Sequence, residues 1–304
     1  MPLAFQPHRL VEHRTADVVA DIGELAGLGD LHAQNDTGPP PAVASNAAQE
    51  RRGSRCAAAG VAAARRGRGV CVIGLVGGML AGAVAAPWLR GAAARYAVGY
   101  GEPAARCPGC GRGLLALPPT GRCRGCRTAV GARAGTVELA AVAAGAAIGS
   151  VAGWPVVPVL CWVALFGVVL AFVDLAVHRL PDALTLPLAG GTAVLLVTAG
   201  LLTQRTGALT RCLLGALLFL AVYGAMALAG PMGLGDAKLA PTLGALLGWY
   251  GWRTLFQGWL AGFLLAAVWG VVLLATGRAK AKDPLPFGPC MLLGALLGVL
   301  ASAG

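Results

Sequence analysis

Asp174 and Asp236 are carboxylates placed where carboxylates are costly. Beyond Glu138 the chain carries only four more acidic residues: Asp174, Asp182, Asp236 and Asp283. Asp174 closes an apolar run in Phe172-Val173-Asp174-Leu175, and Asp236 closes another in Gly233-Leu234-Gly235-Asp236. An ionisable group at membrane depth marks a functional site by default. On the residues alone, three readings stand. In the first, Asp174 and Asp236 form a catalytic pair. Two carboxylates held close cannot both ionise easily and share one proton. The ionised member then activates water as general base while the protonated one polarises a peptide carbonyl. Gly233 and Gly235 fit this reading, because missing side chains let a helix or an extended substrate approach closely. In the second, the aspartates couple ions or protons in a transporter. In the third, they snorkel at helix ends.

The neighbours divide differently. Asp182 follows Leu180-Pro181 and precedes an apolar span, so it reads as a helix N-cap. Lys238 is expected close to the Asp236 carboxylate or to substrate, or else as a basic flanking charge. His178 and Arg179 read as loop residues facing lipid headgroups rather than as catalytic groups. Asp174 ends its span, where the helix dipole disfavours negative charge, and Asp236 begins one, where it is favoured. That contrast makes Asp236 the more readily ionised member.

A second constellation is Cys107-Pro108-Gly109-Cys110 with Cys123-Arg124-Gly125-Cys126. Two Cys-x-x-Cys turns supply four thiolates for a tetrahedral Zn²⁺ shell. Two disulfides are the competing reading, which loses ground if this arginine-rich segment is cytoplasmic, where thiols stay reduced. With four cysteines filling the shell, no position remains for water, so the zinc is structural and staples a segment too short for its own core. Cys56, Cys71, Cys161, Cys212 and Cys290 are scattered, and the last four, in or beside apolar spans, read as small buried hydrophobes.

The elements that must position these groups are membrane spans. Mean hydropathy is +0.71, with 57% hydrophobic and only 12% charged residues. Uncharged stretches at 69–89, 183–204, 212–235, 254–277 and 284–304 each reach the roughly 20 residues a spanning helix requires. The stretch 139–173 is too long for one span, and Gly153-Trp154-Pro155 divides it into two. A shorter, partly polar span starts at Asp236 or Ala237, giving eight in an all-α polytopic membrane protein. The net charge of +11 flanks apolar spans, which excludes nucleic acid as the partner and makes the lipid bilayer the environment. Eight arginines between Arg90 and Arg133 against one acid, Glu102, place that segment on the cytoplasmic side, and the count of spans brings both aspartates to the same face. Residues 1–69, with six arginines between Arg51 and Arg68, read as a disordered basic tail or an untranslated one. The expected organisation is this tail, a first span at 70–89, a four-cysteine zinc-binding insertion at 90–135, and a transmembrane core at 136–304.

Together these segments resemble the bacterial prepilin peptidases (type IV leader peptidases), grouped with the GxGD membrane aspartic proteases. The resemblance is carried by the run from Asp174 through His178-Arg179-Leu180-Pro181-Asp182, by Gly233-Leu234-Gly235-Asp236-Ala237-Lys238, by Pro286-Phe287-Gly288-Pro289, and by the paired cysteine turns ahead of Val137-Glu138-Leu139. It covers about residues 70–304. It implies an aspartic endopeptidase of the bacterial inner membrane that removes the basic leader of type IV prepilins or pseudopilins at the cytoplasmic face. Asp174 and Asp236 would be the catalytic residues; Asp182 falls on a motif position not assigned to catalysis. Many members also N-methylate the new N-terminus with S-adenosylmethionine. Where the family commonly shows a Gly-Ser-Phe-Leu-Asn type motif, this chain reads Gly77-Gly78-Met79-Leu80-Ala81-Gly82 without asparagine, and only residues 111–122 separate the cysteine pairs. These departures argue against methylation. An ion-coupled transporter and a zinc-bearing scaffold are the alternatives from other classes. Oligomeric state is not legible.

Overall fold

Long runs of Leu, Val and Ala without charges leave the backbone no water to bond with, so each run closes its hydrogen bonds internally as a helix. The computed structural model describes residues 72–99, 103, 105–151, 153, 155–230, 232–277 and 285–302. The expected tail at 1–69, Glu102, and Asp283 in the 278–284 connection lie outside the described residues. Eight helices are found among the described residues: α1 Val72–Tyr96, α2 Thr136–Val151, α3 Val157–Val177, α4 Asp182–Leu202, α5 Thr206–Leu228, α6 Leu234–Tyr250, α7 Trp252–Ala275 and α8 Gly288–Ala301.

Five of these, α1, α3, α4, α5 and α7, are long and apolar enough to cross a membrane. The break expected at Gly153 separates α2 from α3. Gly251, at φ 126°, separates α6 from α7. The stretch 284–304 forms a helix of only 14 residues, because helix geometry begins at Gly288 with Pro289 in its first turn. That helix packs beside the two other short ones, α2 and α6.

The closest helix pairs meet through glycine. A Cβ on Gly78 of α1 would strike the Gly145 carbonyl oxygen of α2, and one on Gly145 would strike that of Gly78. Gly215 of α5 and Gly244 of α6 face each other in the same way. Gly294 of α8 lies on the Gly258 and Gly262 backbone of α7. Where lipid is as apolar as leucine, close backbone approach rather than burial of apolar surface drives helices together. Large apolar side chains divide between the two sides: Ile73, Leu202, Val268 and Leu228 are exposed, while Leu170, Leu188 and Leu243 lie in the core.

α1 runs past the 70–89 span and carries Arg90 inside it. This charge is tolerated because Arg90, 1% exposed, is fully engaged. Its Nε donates to Glu138 Oε1 at 2.8 Å and a terminal nitrogen donates to Oε2 at 2.5 Å. The guanidinium also donates to the carbonyls of Ala132 (2.8 Å) and Arg133 (3.0 Å). One side chain therefore ties α1, the start of α2 and the segment between them.

That segment folds as two small turns without a strand among the described residues. Cys107 N–H donates to Arg112 O and Gly111 N–H to Cys107 O; Cys123 N–H donates to Thr128 O and Arg127 N–H to Cys123 O. The equivalent fifth positions are Gly111 at φ 66° and Arg127 at φ 60°. The second turn thus repeats the first with a left-handed arginine in place of glycine.

Removing Arg90 strands Glu138 and the Ala132 carbonyl, whereas Arg133 O keeps its bonds from the Thr136 hydroxyl and N–H. Breaking a buried pair from one side costs about 3–5 kcal/mol. Arg90→Ala is expected to lower the thermal unfolding midpoint of the detergent-solubilised protein sharply. Arg90→Lys should recover less than half of that loss, because an ammonium cannot reproduce the planar fork. An unchanged midpoint in Arg90→Ala would show that the clamp does not hold these elements.

Candidate active site

Chain order dictates where the aspartates meet. α3 ends at Val177, α4 starts at Asp182, α5 returns, and α6 starts at Leu234, so Asp174 and Asp236 arrive at the same end of the helical bundle. Both line one cavity of about 630 Å³, and each charge lies within electrostatic range of the other. Both are buried, Asp174 at 4% and Asp236 at 8% exposure.

Each carboxylate has a local reason for its position. Asp174 sits in the last turn of α3, which His178 closes in the left-handed region (φ 52°), its N–H donating to the Asp174 carbonyl oxygen at 2.8 Å. The Asp174 side chain leaves its own helix end and meets the start of another: Gly288 N–H donates to Oδ2 at 3.0 Å. The first N–H groups of a helix have no partner within it, so α8 offers an orphan donor to the carboxylate. This revises the dipole argument, which weighed only the helix that carries Asp174.

Asp236 occupies the third position of α6, after Gly233 at the N-cap. Its carboxylate turns back, with Oδ2 3.6 Å from where a Cβ on Gly233 would stand. A Cβ on Gly235 would lie 3.1 Å from Leu180 Cβ and 3.3 Å from Leu180 N. Gly235 therefore lets the start of α6 settle on the loop that follows Asp174, which draws the two aspartates toward one space.

The remaining expected residues line the same cavity, but Asp182 and Lys238 pair otherwise than the sequence suggests. Asp182 is not a cap. Pro181 occupies the N-cap position, and no side chain caps α4. Proline presets the φ of that turn, which leaves the Asp182 carboxylate available to a partner on another helix. That partner is Lys238, whose Nζ lies 2.6 Å from Asp182 Oδ1. Lys238 thus pairs across the cavity rim, and not with Asp236. His178 and Arg179 also line the cavity instead of only flanking it.

Three contributors escape a reading by motif. Tyr96, Val98 and Gly99, which lead out of α1, form part of the cavity wall. Tyr223 of α5 lies within electrostatic range of Asp236 and stacks with Phe263 and Phe287, with ring centroids 5.9 and 6.2 Å away. Cys290, in the first turn of α8, lies within range of both aspartates. No local signal marks the first group, whereas Phe287 and Cys290 flank the Gly288-Pro289 pair already singled out.

The four turn cysteines converge as expected. Their sulfur atoms all lie within 4.8 Å of one another, with Cys107 and Cys126 at 3.3 Å and Cys110 and Cys123 at 3.7 Å. A tetrahedral thiolate shell with bonds of about 2.3 Å has edges of about 3.8 Å, so the donor set fits a metal ion. The electrostatics agree. Contact with the Thr128 hydroxyl and N–H pushes the Cys126 thiol down to about 6, and the N–H groups of Cys126 and Gly125 lower Cys123. Cys107 goes the other way, to about 11: the Gly109 N–H draws it down, but burial and the Cys126 sulfur outweigh that. Four adjacent thiolates need a cation to coexist.

Comparisons with known proteins fall on the same residues. Residues 159–275, which include both aspartates, match the type IV leader peptidase family. The chain is 33% identical over 214 residues to a prepilin leader peptidase/N-methyltransferase of Aeromonas salmonicida, covering 65% of this chain and 71% of that protein. It is 34% identical over 216 residues to a protein of the same description from Burkholderia pseudomallei, covering 63% and 65%. It is also similar to the leader peptidase HopD of Salmonella typhimurium, 36% identical over 143 residues, covering 43% and 85%. No solved structure matches. The chain belongs to the type IV leader peptidase family.

Proposed function

We propose that this protein is an aspartic endopeptidase that removes the basic leader of prepilins or pseudopilins at the cytoplasmic face of the bacterial inner membrane. The observation that carries the reading is the convergence of Asp174 and Asp236 on one cavity at one end of the bundle. The names of the relatives supply the substrate class. The two carboxylates share one proton. The ionised one takes a proton from water as that water attacks the scissile carbonyl, and the protonated one donates a hydrogen bond to the carbonyl oxygen. Collapse of the tetrahedral intermediate breaks the C–N bond, and the proton returns to the leaving amine. Burial of both carboxylates, at 4% and 8% exposure, keeps most water from them, which strengthens each of these interactions.

Cys107, Cys110, Cys123 and Cys126 would hold one Zn²⁺, which supplies structure alone because their four sulfurs close its shell. Anchored by Arg90 and by the Ala105 N–H bond to Arg95 O, the turns then fix residues 96–99 as a wall of the cavity. N-methylation stands outside the proposal, because the 77–82 stretch departs from the family's motif.

Cleavage of a co-expressed prepilin is the decisive assay. Asp174→Asn and Asp236→Asn are each expected to lower the rate by about 10²–10⁴-fold, the usual reach of general acid–base catalysis. Full cleavage by either variant eliminates the dyad. Elemental analysis of the purified protein should find one zinc per chain, and Cys107→Ser with Cys123→Ser should lose it. Stoichiometric retention of zinc by that double variant would refute the four-cysteine site. The Asp182–Lys238 pair, with side chains 57% and 52% exposed, should contribute less than about 1 kcal/mol. Asp182→Ala is therefore expected to leave the thermal midpoint nearly unchanged, and a large fall would show that the pair is buried in the working protein.

A further inference from the structure

The start of α8 carries more than a helix boundary. Gly288 is its first residue, and its N–H reaches Asp174 Oδ2 at 3.0 Å across 114 positions of sequence. A Cβ built on Gly288 would stand 2.9 Å from that same oxygen and 3.4 Å from Asp174 Cγ. The donor approaches the carboxylate closely because nothing projects from the carbon beside it. The neighbouring residues hold this end of α8 in place. Phe287 packs its ring 5.2 Å from Phe263 of α7 and 6.2 Å from Tyr223 of α5. Further along, Gly294 and Gly298 lie on the backbone of α7, so α8 cannot slide away from its neighbour without losing that contact.

We propose that Gly288 is a positioning residue for the cleavage reaction: its N–H sets the orientation of the Asp174 carboxylate, and its missing side chain is what permits the contact. The inference rests on the dyad reading above and extends it to a third element of the fold. α8 contributes the contact through its backbone, not through a side chain of its own. The same contact accounts for the apolar character of the residues around Gly288. Phe287 and Pro289 shape and brace the helix start, while the polar group that matters is in the main chain.

The test is steady-state cleavage of a synthetic prepilin segment, basic leader plus apolar helix, by full-length protein in detergent. Gly288→Ala forces the carboxylate to shift. A displacement of about 1 Å at a reacting group can cost on the order of 10²-fold, so kcat is expected to fall by about that factor. KM should stay within about twofold, because the contact is not made to substrate. Gly78→Ala is the control for packing alone, since its Cβ meets the α2 backbone at Gly145 and touches neither α8 nor an aspartate. It should lower the thermal midpoint while leaving kcat per folded molecule near wild type. If Gly288→Ala retains wild-type kcat, or loses activity only in step with its folded fraction as Gly78→Ala does, the proposal fails. Should the alanine variant not accumulate, glycolic acid introduced at 288 by stop-codon suppression converts the Phe287–Gly288 amide to an ester. That change deletes the donor and adds no bulk; a similar fall in kcat supports the proposal and full kcat overturns it. Active Asp174→Asn or Asp236→Asn variants would defeat the dyad reading itself. Inactive aspartate variants beside an unimpaired Gly288→Ala would defeat this inference alone.

Discussion

A carboxylate inside a membrane protein must be met by polar groups that the protein supplies, and that requirement organises this chain. Hydrocarbon offers neither water nor counterion. The places where polarity is available without side chains are helix ends, where backbone N–H and C=O groups are left over. Asp174 closes one helix and leans on the start of another, and Asp236 opens a third and folds back towards its own N-cap. The cavity that both aspartates line is accordingly a meeting of helix termini at one end of the bundle. The glycines at 235 and 288 are the points where termini come close enough to meet.

The same economy governs the packing between helices. Burial of apolar surface cannot assemble a bundle in lipid, so intimate backbone contact does so. Three pairs, α1–α2, α5–α6 and α7–α8, are joined where glycine faces glycine or a bare carbonyl. The 46 glycines are thereby partly accounted for. Among the described residues, they mark helix seams as well as turns. Arg90 shows the complementary solution. A full charge enters a helix because four hydrogen bonds from its guanidinium go to Glu138 and to the carbonyls of Ala132 and Arg133.

How much of this could be read from the chain depended on whether the cause was local. The paired cysteine turns were legible because sequence spacing alone sets whether two sulfurs can point inward. The division of the 139–173 stretch at Gly153 was legible because proline and glycine act where they stand. The aspartates were legible because each breaks an apolar run. Features that failed had partners far away. Asp182 looked like a cap until Lys238, 56 positions on, took its carboxylate. α1 seemed to end before Arg90 because the acid that neutralises it lies 48 positions downstream. The acidity contrast between the aspartates was argued from their own helices, while the group facing Asp174 belongs to α8.

The lengths of α2, α6 and α8 carry a different consequence. At about 1.5 Å per residue, helices of 14 to 17 residues rise only about 21–26 Å, short of the roughly 30 Å hydrocarbon thickness. α8 packs against both of the others, and α6 and α8 begin within a few residues of the candidate site. A bilayer meets such short helices by thinning locally, or the helix ends are met by snorkelling side chains and by neighbours. Where it thins, less hydrocarbon separates water from two carboxylates that belong, by sequence, to the membrane.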